Sequence, residues 1–293
     1  MIKHIPVLLN EVLANLDPQS NQNFIDCTLG GGGHAQVILE RIKPNGRLLG
    51  IDTSPEAIEA MRQSIKDNSD WQQRLILAND NFVNLKKIAQ ENSFAGADGI
   101  LFDLGFSTDL LESNTRGLSF QKDGPLDMRF NLQQQKLTAA EIINSWPAAD
   151  LENIFKNFGE ERYSRSIVKA ILASRKSKKI ITTLHLAAVI EQAVDQNYLV
   201  KTLARIFHAL RIAFNNELDN LFQALPQAID LLNKNGRLAA ISFHSLEDRI
   251  VKNIFKESPS INILTKKPIV AAESEIAVNP RARSAKLRVA QKI

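Results

Sequence analysis

Cysteine is almost absent. Cys27 is the only one in 293 residues, so no intramolecular disulfide can form and no cysteine cluster can hold a metal. A lone thiol suits a reducing compartment, and a cytoplasmic protein is the expectation. Long apolar runs are missing as well. Nothing approaches the roughly 20 apolar residues of a membrane-spanning helix. Met1-Ile-Lys-His-Ile-Pro6 also lacks the hydrophobic segment of an export signal. Internal repeats do not occur, low-complexity tracts are few, and 44% apolar content is that of an ordinary globular chain with a core. Charge of one sign is lacking too. Thirty-six Lys and Arg against 32 Asp and Glu leave +4, too mild to announce a nucleic-acid partner by itself. The distribution says more. Arg281, Arg283, Lys286, Arg288 and Lys292 lie together with no acid among them, and Arg175, Lys176, Lys178 and Lys179 form a second cluster. Such patches are either the footprint of a polyanion site or simply solvated surface.

What is present is a glycine turn in a telling place. Phe24-Ile-Asp-Cys-Thr-Leu-Gly-Gly-Gly-Gly-His34 follows a strand-like run with four glycines, and Ala35–Ile42 then has apolar residues at helical spacing. A strand that ends in glycines and restarts as a helix brings bare backbone N–H groups close to a ligand. Arg47-Leu-Leu-Gly-Ile-Asp52 comes one strand–helix step later and ends in a carboxylate, where a Rossmann-like sheet holds the ribose of a nucleoside cofactor.

Coarser signals continue the alternation. A helix is expected over 4–16, strands over 23–28, 47–51, 74–78 and 99–103, and helices over 34–42 and 82–92, with Ser54-Pro55-Glu56 opening another. This order specifies a mostly parallel, doubly wound α/β sheet. It then stops. Residues 110–125 read as loop and 138–216 as helix, with Leu203, Ile206, Phe207, Leu210, Phe214, Leu218 and Leu221 in a 3.6-residue period. Arg237–Phe243 resumes the sheet. The reading is an α/β core over 1–109 and 217–293, with a helical insertion over 110–216 as the candidate substrate-recognition domain.

Gly30, Gly32 and Ala35 satisfy G-x-G-x-x-A, so the bare pattern admits a nicotinamide dinucleotide. Two acids favour S-adenosylmethionine instead. Asp26 at the tip of the first strand would repel a pyrophosphate, and Asp103 at the tip of the fourth adds a second acid to the same crevice. A cationic sulfonium tolerates such a cleft. Alternatively Asp26 caps the glycine turn, His34 merely opens its helix, and Phe82 belongs to the core rather than beside an adenine.

The chain resembles the bacterial small-subunit (16S) ribosomal RNA methyltransferases that methylate a cytosine at its exocyclic N4. The resemblance rests on Asp26–His34, Gly50-Ile-Asp52, Asp98–Gly105, Arg116–Phe120, Asp123–Arg129, Gly159-Glu-Glu161, Leu210-Arg-Ile212, Ser242–Arg249 and Asn279–Arg288. It implies a class I (Rossmann-like) methyltransferase core with an inserted helical domain, and S-adenosylmethionine held by Gly32, Gly33, His34, Asp52, Phe82 and Asp103. Leu110 stands where the family has a cofactor-contacting Gln, and that contact is not carried over. The implied partner is 16S ribosomal RNA in the small subunit; a homodimer stays open.

The cytosine amine is a poor nucleophile, because its lone pair is delocalised into the ring. It needs acceptors for its N–H groups as the new bond forms. Asp103 is the candidate acceptor, with backbone carbonyls around 104–107 as the alternative. His244, beside Glu247 and Asp248 after a strand tip, either positions substrate or forms a local network with Arg249 and Arg288; it lacks a metal-ligand set. Arg281 and Arg283 are candidates for RNA phosphates, and Asp127-Met128-Arg129 for gating the base. The competing readings are a methyltransferase for DNA or a small molecule, a non-catalytic RNA-binding assembly factor, and an oxidoreductase.

Overall fold

The computed structural model describes residues 6–105, 116–132 and 135–293. Leu110, the 109/110 domain boundary, the carbonyls of 106–107 and the first residues of the expected 4–16 helix lie outside them. The chain divides into two compact units, Met1–Gly105 with Leu218–Ile293, and Phe106–Glu217.

The first unit is a seven-stranded sheet in the order β3-β2-β1-β4-β5-β7-β6. Five strands are parallel: β1 (Phe24–Asp26), β2 (Leu48–Asp52), β3 (Leu75–Asn79), β4 (Ala97–Asp103) and β5 (Leu232–Ser242). Near-continuous apolar runs such as Leu48-Leu49-Gly50-Ile51 suit strands covered on both faces, and all four of these residues are buried. One face packs on α1 (Leu9–Leu16), α2 (Gly33–Arg41) and α3 (Pro55–Ser64). The other packs on α5 (Leu85–Glu91), α11 (Glu217–Leu231) and α12 (Ser245–Glu257). Each fully buried Leu or Ile there contributes roughly 1.5–3 kcal/mol. Ser54 caps α3 by accepting the Ala57 N–H, with Pro55 at the first helical position.

The sequence reading missed two features of this unit. A short α4 (Ser69–Arg74) precedes β3, where the Arg74 guanidinium donates to Asp70 one turn back. Part of the basic C-terminal cluster is a strand: Lys286–Lys292 forms β7, antiparallel between β5 and β6 (Ile261–Ile263). β5 begins at Leu232 rather than at Arg237, and Asn233-Lys-Asn-Gly236 loops out inside it. The pairing jumps from Ala97↔Leu232 to Gly99↔Arg237, and Asn235 takes a left-handed φ of 66°.

The second unit is helical among its described residues: α6 (Ala139–Ser145), α7 (Ala148–Asn157), α8 (Ser164–Ser177), α9 (Thr183–Glu191) and α10 (Gln196–Asn215). In α6, α9 and α10 a side chain meets N-terminal donors. Thr138 and Glu141 form a capping box, Thr182 accepts from His185, and Asp195 from Asn197. Leu203, Ile206, Phe207 and Leu210 on α10 fill this unit's own core, together with Phe155, Ile167 and Leu186. The 3.6-residue period does not run unbroken to Leu221. Asn216, at φ 51°, ends α10, and Leu218 and Leu221 belong to α11.

Candidate active site

The glycine turn sits between β1 and α2. Gly30 and Gly32 have φ of 49° and 74°, left-handed values that a side chain disfavours. A Cβ on Gly32 would also lie 2.7 Å from Met61 Sδ. Asp52, at the tip of β2, closes the turn: Oδ2 accepts the Gly30 N–H at 2.8 Å and Oδ1 the Ser54 N–H at 2.8 Å. Burial pushes its carboxyl up, and those two hydrogen bonds oppose the shift. Asn79 at the end of β3 donates to the Asp52 carbonyl at 2.9 Å, tying the neighbouring strand tips together.

Beside the turn lie Asp26, from β1, and Asp103, from β4. Sequence reasoning missed the residue that joins them. Thr28 donates its N–H to Asp26 Oδ1 at 3.1 Å, while its hydroxyl accepts the Asp103 N–H at 2.6 Å. Nothing local announces that bond, because it spans 75 residues. Burial lifts the Asp26 carboxyl to about 7, opposed by its bonds from Thr28 and reinforced by the charge of Asp52. Burial also lifts Asp103 to about 7, and the negative charge of Asp26 adds to it while Arg281 opposes it. His34, buried at the start of α2, holds Nε2 3.7 Å from Asp103 Oδ2. Asp103 Oδ1 is buried and accepts no hydrogen bond from the described residues. A buried acceptor left in that state costs free energy that a donor ligand would recover.

Phe82 lies in a single 3-10 turn over 82–84 and meets Phe102 edge-on, with ring centroids 5.5 Å apart. It is half-buried, so one part of the ring serves the core while the remainder stays accessible. His244 occupies the N-cap position of α12, and its Nε2 is 3.0 Å from Glu247 Oε1; the other Glu247 oxygen accepts the Phe243 N–H at 2.8 Å.

The C-terminal cations separate. Arg281, half-buried in a 3-10 turn over 280–284, faces Asp103, whereas Arg283 is exposed. Arg288 is not available to phosphates, because it is buried and donates to both Asp248 oxygens at 2.6 and 3.2 Å. Arg175 is likewise committed, donating to the carbonyls of Ile143 and Trp146 at 2.9 and 2.8 Å. In the helical unit Arg129 pairs with Asp127 at 2.7 and 2.6 Å and Met128 is buried, an arrangement that fixes the loop.

Taken by themselves, the strand order, the glycine turn after β1 and the carboxylates ending β1, β2 and β4 define a class I methyltransferase core. One buried and two half-buried acids, with one unsatisfied carboxylate oxygen, suit a cationic cofactor and disfavour a pyrophosphate. The chain belongs to the MraW methylase family, whose profile matches residues 1–293. It is 43% identical over 309 residues to ribosomal RNA small subunit methyltransferase H of Dehalococcoides mccartyi (strain ATCC BAA-2100), covering 99% of this chain and 86% of that protein. It is 40% identical to the enzyme of the same name from Clostridium botulinum (strain Loch Maree), covering 99% of both chains. Solved structures similar to it include an rRNA methylase from Streptococcus thermophilus, with a TM-score of 0.45 at 10% identity, covering 97% of this chain and 93% of that one. A methyltransferase homologue from Pyrococcus horikoshii gives 0.48 at 10%, covering 99% and 68%. No helix among the described residues is long and apolar enough to cross a membrane.

Proposed function

We propose that the protein transfers the methyl group of S-adenosylmethionine to N4 of a cytidine in small-subunit ribosomal RNA, with Gly32, Gly33, His34, Asp52, Phe82 and Asp103 holding the cofactor. The observation that carries the site assignment is the convergence of the buried Asp26 and the half-buried Asp52 and Asp103 on a turn whose Gly32 takes a left-handed φ of 74°. Bound there, the cofactor supplies an electrophilic methyl group with its leaving group built in.

What the chain itself adds is orientation and proton handling. Thr28 fixes the backbone of Asp103, and His34 stands beside Oδ2, which leaves Oδ1 as the acceptor for a substrate N–H. A carboxyl poised at about 7 is ionised often enough at neutral pH to take that proton as the amine attacks. The amine of a paired cytosine is engaged in the duplex, so the substrate form is an unpaired or extruded base. Arg283 is exposed and suits a backbone phosphate.

The test is methyl incorporation from labelled cofactor into small subunits and into protein-free 16S RNA lacking the modification, followed by nucleoside analysis. N4-methylcytidine is the expected product. Another methylated nucleoside, or no transfer to either RNA, overturns the substrate assignment.

A further inference from the structure

The chain has only two tyrosines, and the fold brings both to one corner of the helical unit. Tyr163 immediately precedes α8 and Tyr198 lies in the first turn of α10, with ring centroids 6.0 Å apart at 44°. The Arg162 guanidinium lies over both rings, 4.7 Å from one centroid and 4.4 Å from the other. Arg162 is exposed, and Tyr198 is 44% exposed although it is a large ring. Lys201 and Arg205 follow Tyr198 at three and seven residues, which puts all three on one face of α10.

Of the acids at this corner Glu160 and Asp195 are exposed, and Glu161 is underneath. Glu161 has a fully buried side chain; one oxygen accepts the Tyr163 N–H at 2.9 Å and the other is 3.5 Å from Arg205. It fixes the corner while the cations face water. One exposed ring, Tyr198, beside the half-buried Tyr163 and interleaved with cations suits a single strand of RNA, whose bases stack on rings and guanidinium planes while its phosphates meet Lys and Arg. Protein interfaces are depleted in lysine at their centre, and Lys201 stands within this cluster.

We infer that Arg162, Tyr163, Tyr198, Lys201 and Arg205 form a stacking platform for unpaired RNA, a substrate contact carried by the helical unit itself. The inference deepens the ribosomal RNA reading and rests on it. Stacking of one base on Tyr198 is worth about tenfold in affinity, and Lys201 contributes mainly a phosphate contact.

The experiment uses the full chain, a fluorescent unstructured RNA oligonucleotide, and anisotropy across a salt series. Tyr198→Ala is expected to weaken binding about tenfold and Tyr198→Phe to restore it. Lys201→Ala is expected to lower the slope of log affinity against log salt by about 1. In methyl transfer, Tyr198→Ala should raise KM for RNA with kcat unchanged. Thermal unfolding checks each variant, and Lys201→Ala, on an exposed position, keeps the test open if Tyr198→Ala unfolds. Wild-type RNA affinity and an unchanged salt slope in the variants overturn the platform. That result is separable from failure of the function: a platform failure leaves wild-type N4 methylation intact, whereas a wild type that makes no N4-methylcytidine fails the substrate assignment even if Tyr198 binds RNA.

Discussion

Asp26 and Glu161 are both buried carboxylates, and they sit in opposite settings. Glu161, in the helical unit, has a backbone N–H on one oxygen and a guanidinium near the other. Asp26, in the sheet unit, has Thr28 as its hydrogen-bond partner and two further acids as electrostatic neighbours, Asp52 and Asp103. Folding satisfies the first and strains the second. A buried acid given its cation fixes shape, while a buried acid kept from one is held in readiness for a cationic ligand. The same contrast runs through the cations. Arg288 of the sheet unit and Arg175 of the helical unit are drawn inward, onto Asp248 and onto backbone carbonyls, whereas Arg162 and Lys201 face solvent.

The largest expected effect comes from removing the unsatisfied acceptor. Asp103→Ala should slow single-turnover methyl transfer by roughly 10²–10⁴, the usual worth of a positioned proton acceptor. A transfer rate near wild type would move the acceptor role to a backbone carbonyl.

Next is the strain on Asp26. Its folded carboxyl lies at about 7 against an ordinary 3.8, so between those values the folded state binds more protons than the unfolded one. Stability of the cofactor-free protein should therefore be greatest below this window and fall as pH rises through it, by at most about 1.4 kcal/mol for each pH unit crossed. Asp26→Asn keeps the acceptor for Thr28 and removes the titration. Denaturant unfolding from pH 4 to 8 should show a flatter profile for the variant and higher stability at pH 8. Parallel profiles would mean that Asp26 is not the strained group.

Thr28→Val takes the hydroxyl from the Asp103 N–H and should cost about 1–3 kcal/mol in unfolding free energy. It should also lower the transfer rate, because Asp103 loses its backbone anchor. Smallest is Arg165→Ala in the helical unit. That side chain is 87% exposed, and its pair with Glu152 at 2.8 Å should be worth no more than about 0.5 kcal/mol by thermal unfolding. A larger loss would show that surface pairs, and not the apolar core, hold this unit.

The local signals in the sequence were the legible ones. Glycines after an apolar run, Asp52 and Asp103 at strand tips, and Ser54-Pro55 at a helix start are each written within a few residues, and the fold bears out the strand tips and the cap. Thr28 was illegible because its partner lies 75 residues away in sequence. Lys286–Lys292 read as part of a basic cluster because its strand partners and Asp248, the partner of Arg288 40 residues earlier, are distant in sequence. The platform tyrosines were passed over for the same reason, since Tyr163 and Tyr198 meet through tertiary packing and share no motif. The end of α10 at Asn216 turned on a left-handed residue that the apolar period masked.

The most direct test of the strained acids is a count of protons. Titrating S-adenosylmethionine into the protein at pH 7 by calorimetry, in buffers of differing ionisation heat, measures protons released on binding. Net release is the expected result, because a cationic ligand draws Asp26 and Asp103 into their ionised forms, and Asp26→Asn should release fewer. Binding with no proton exchange in either protein would contradict the strain assigned to these carboxyls.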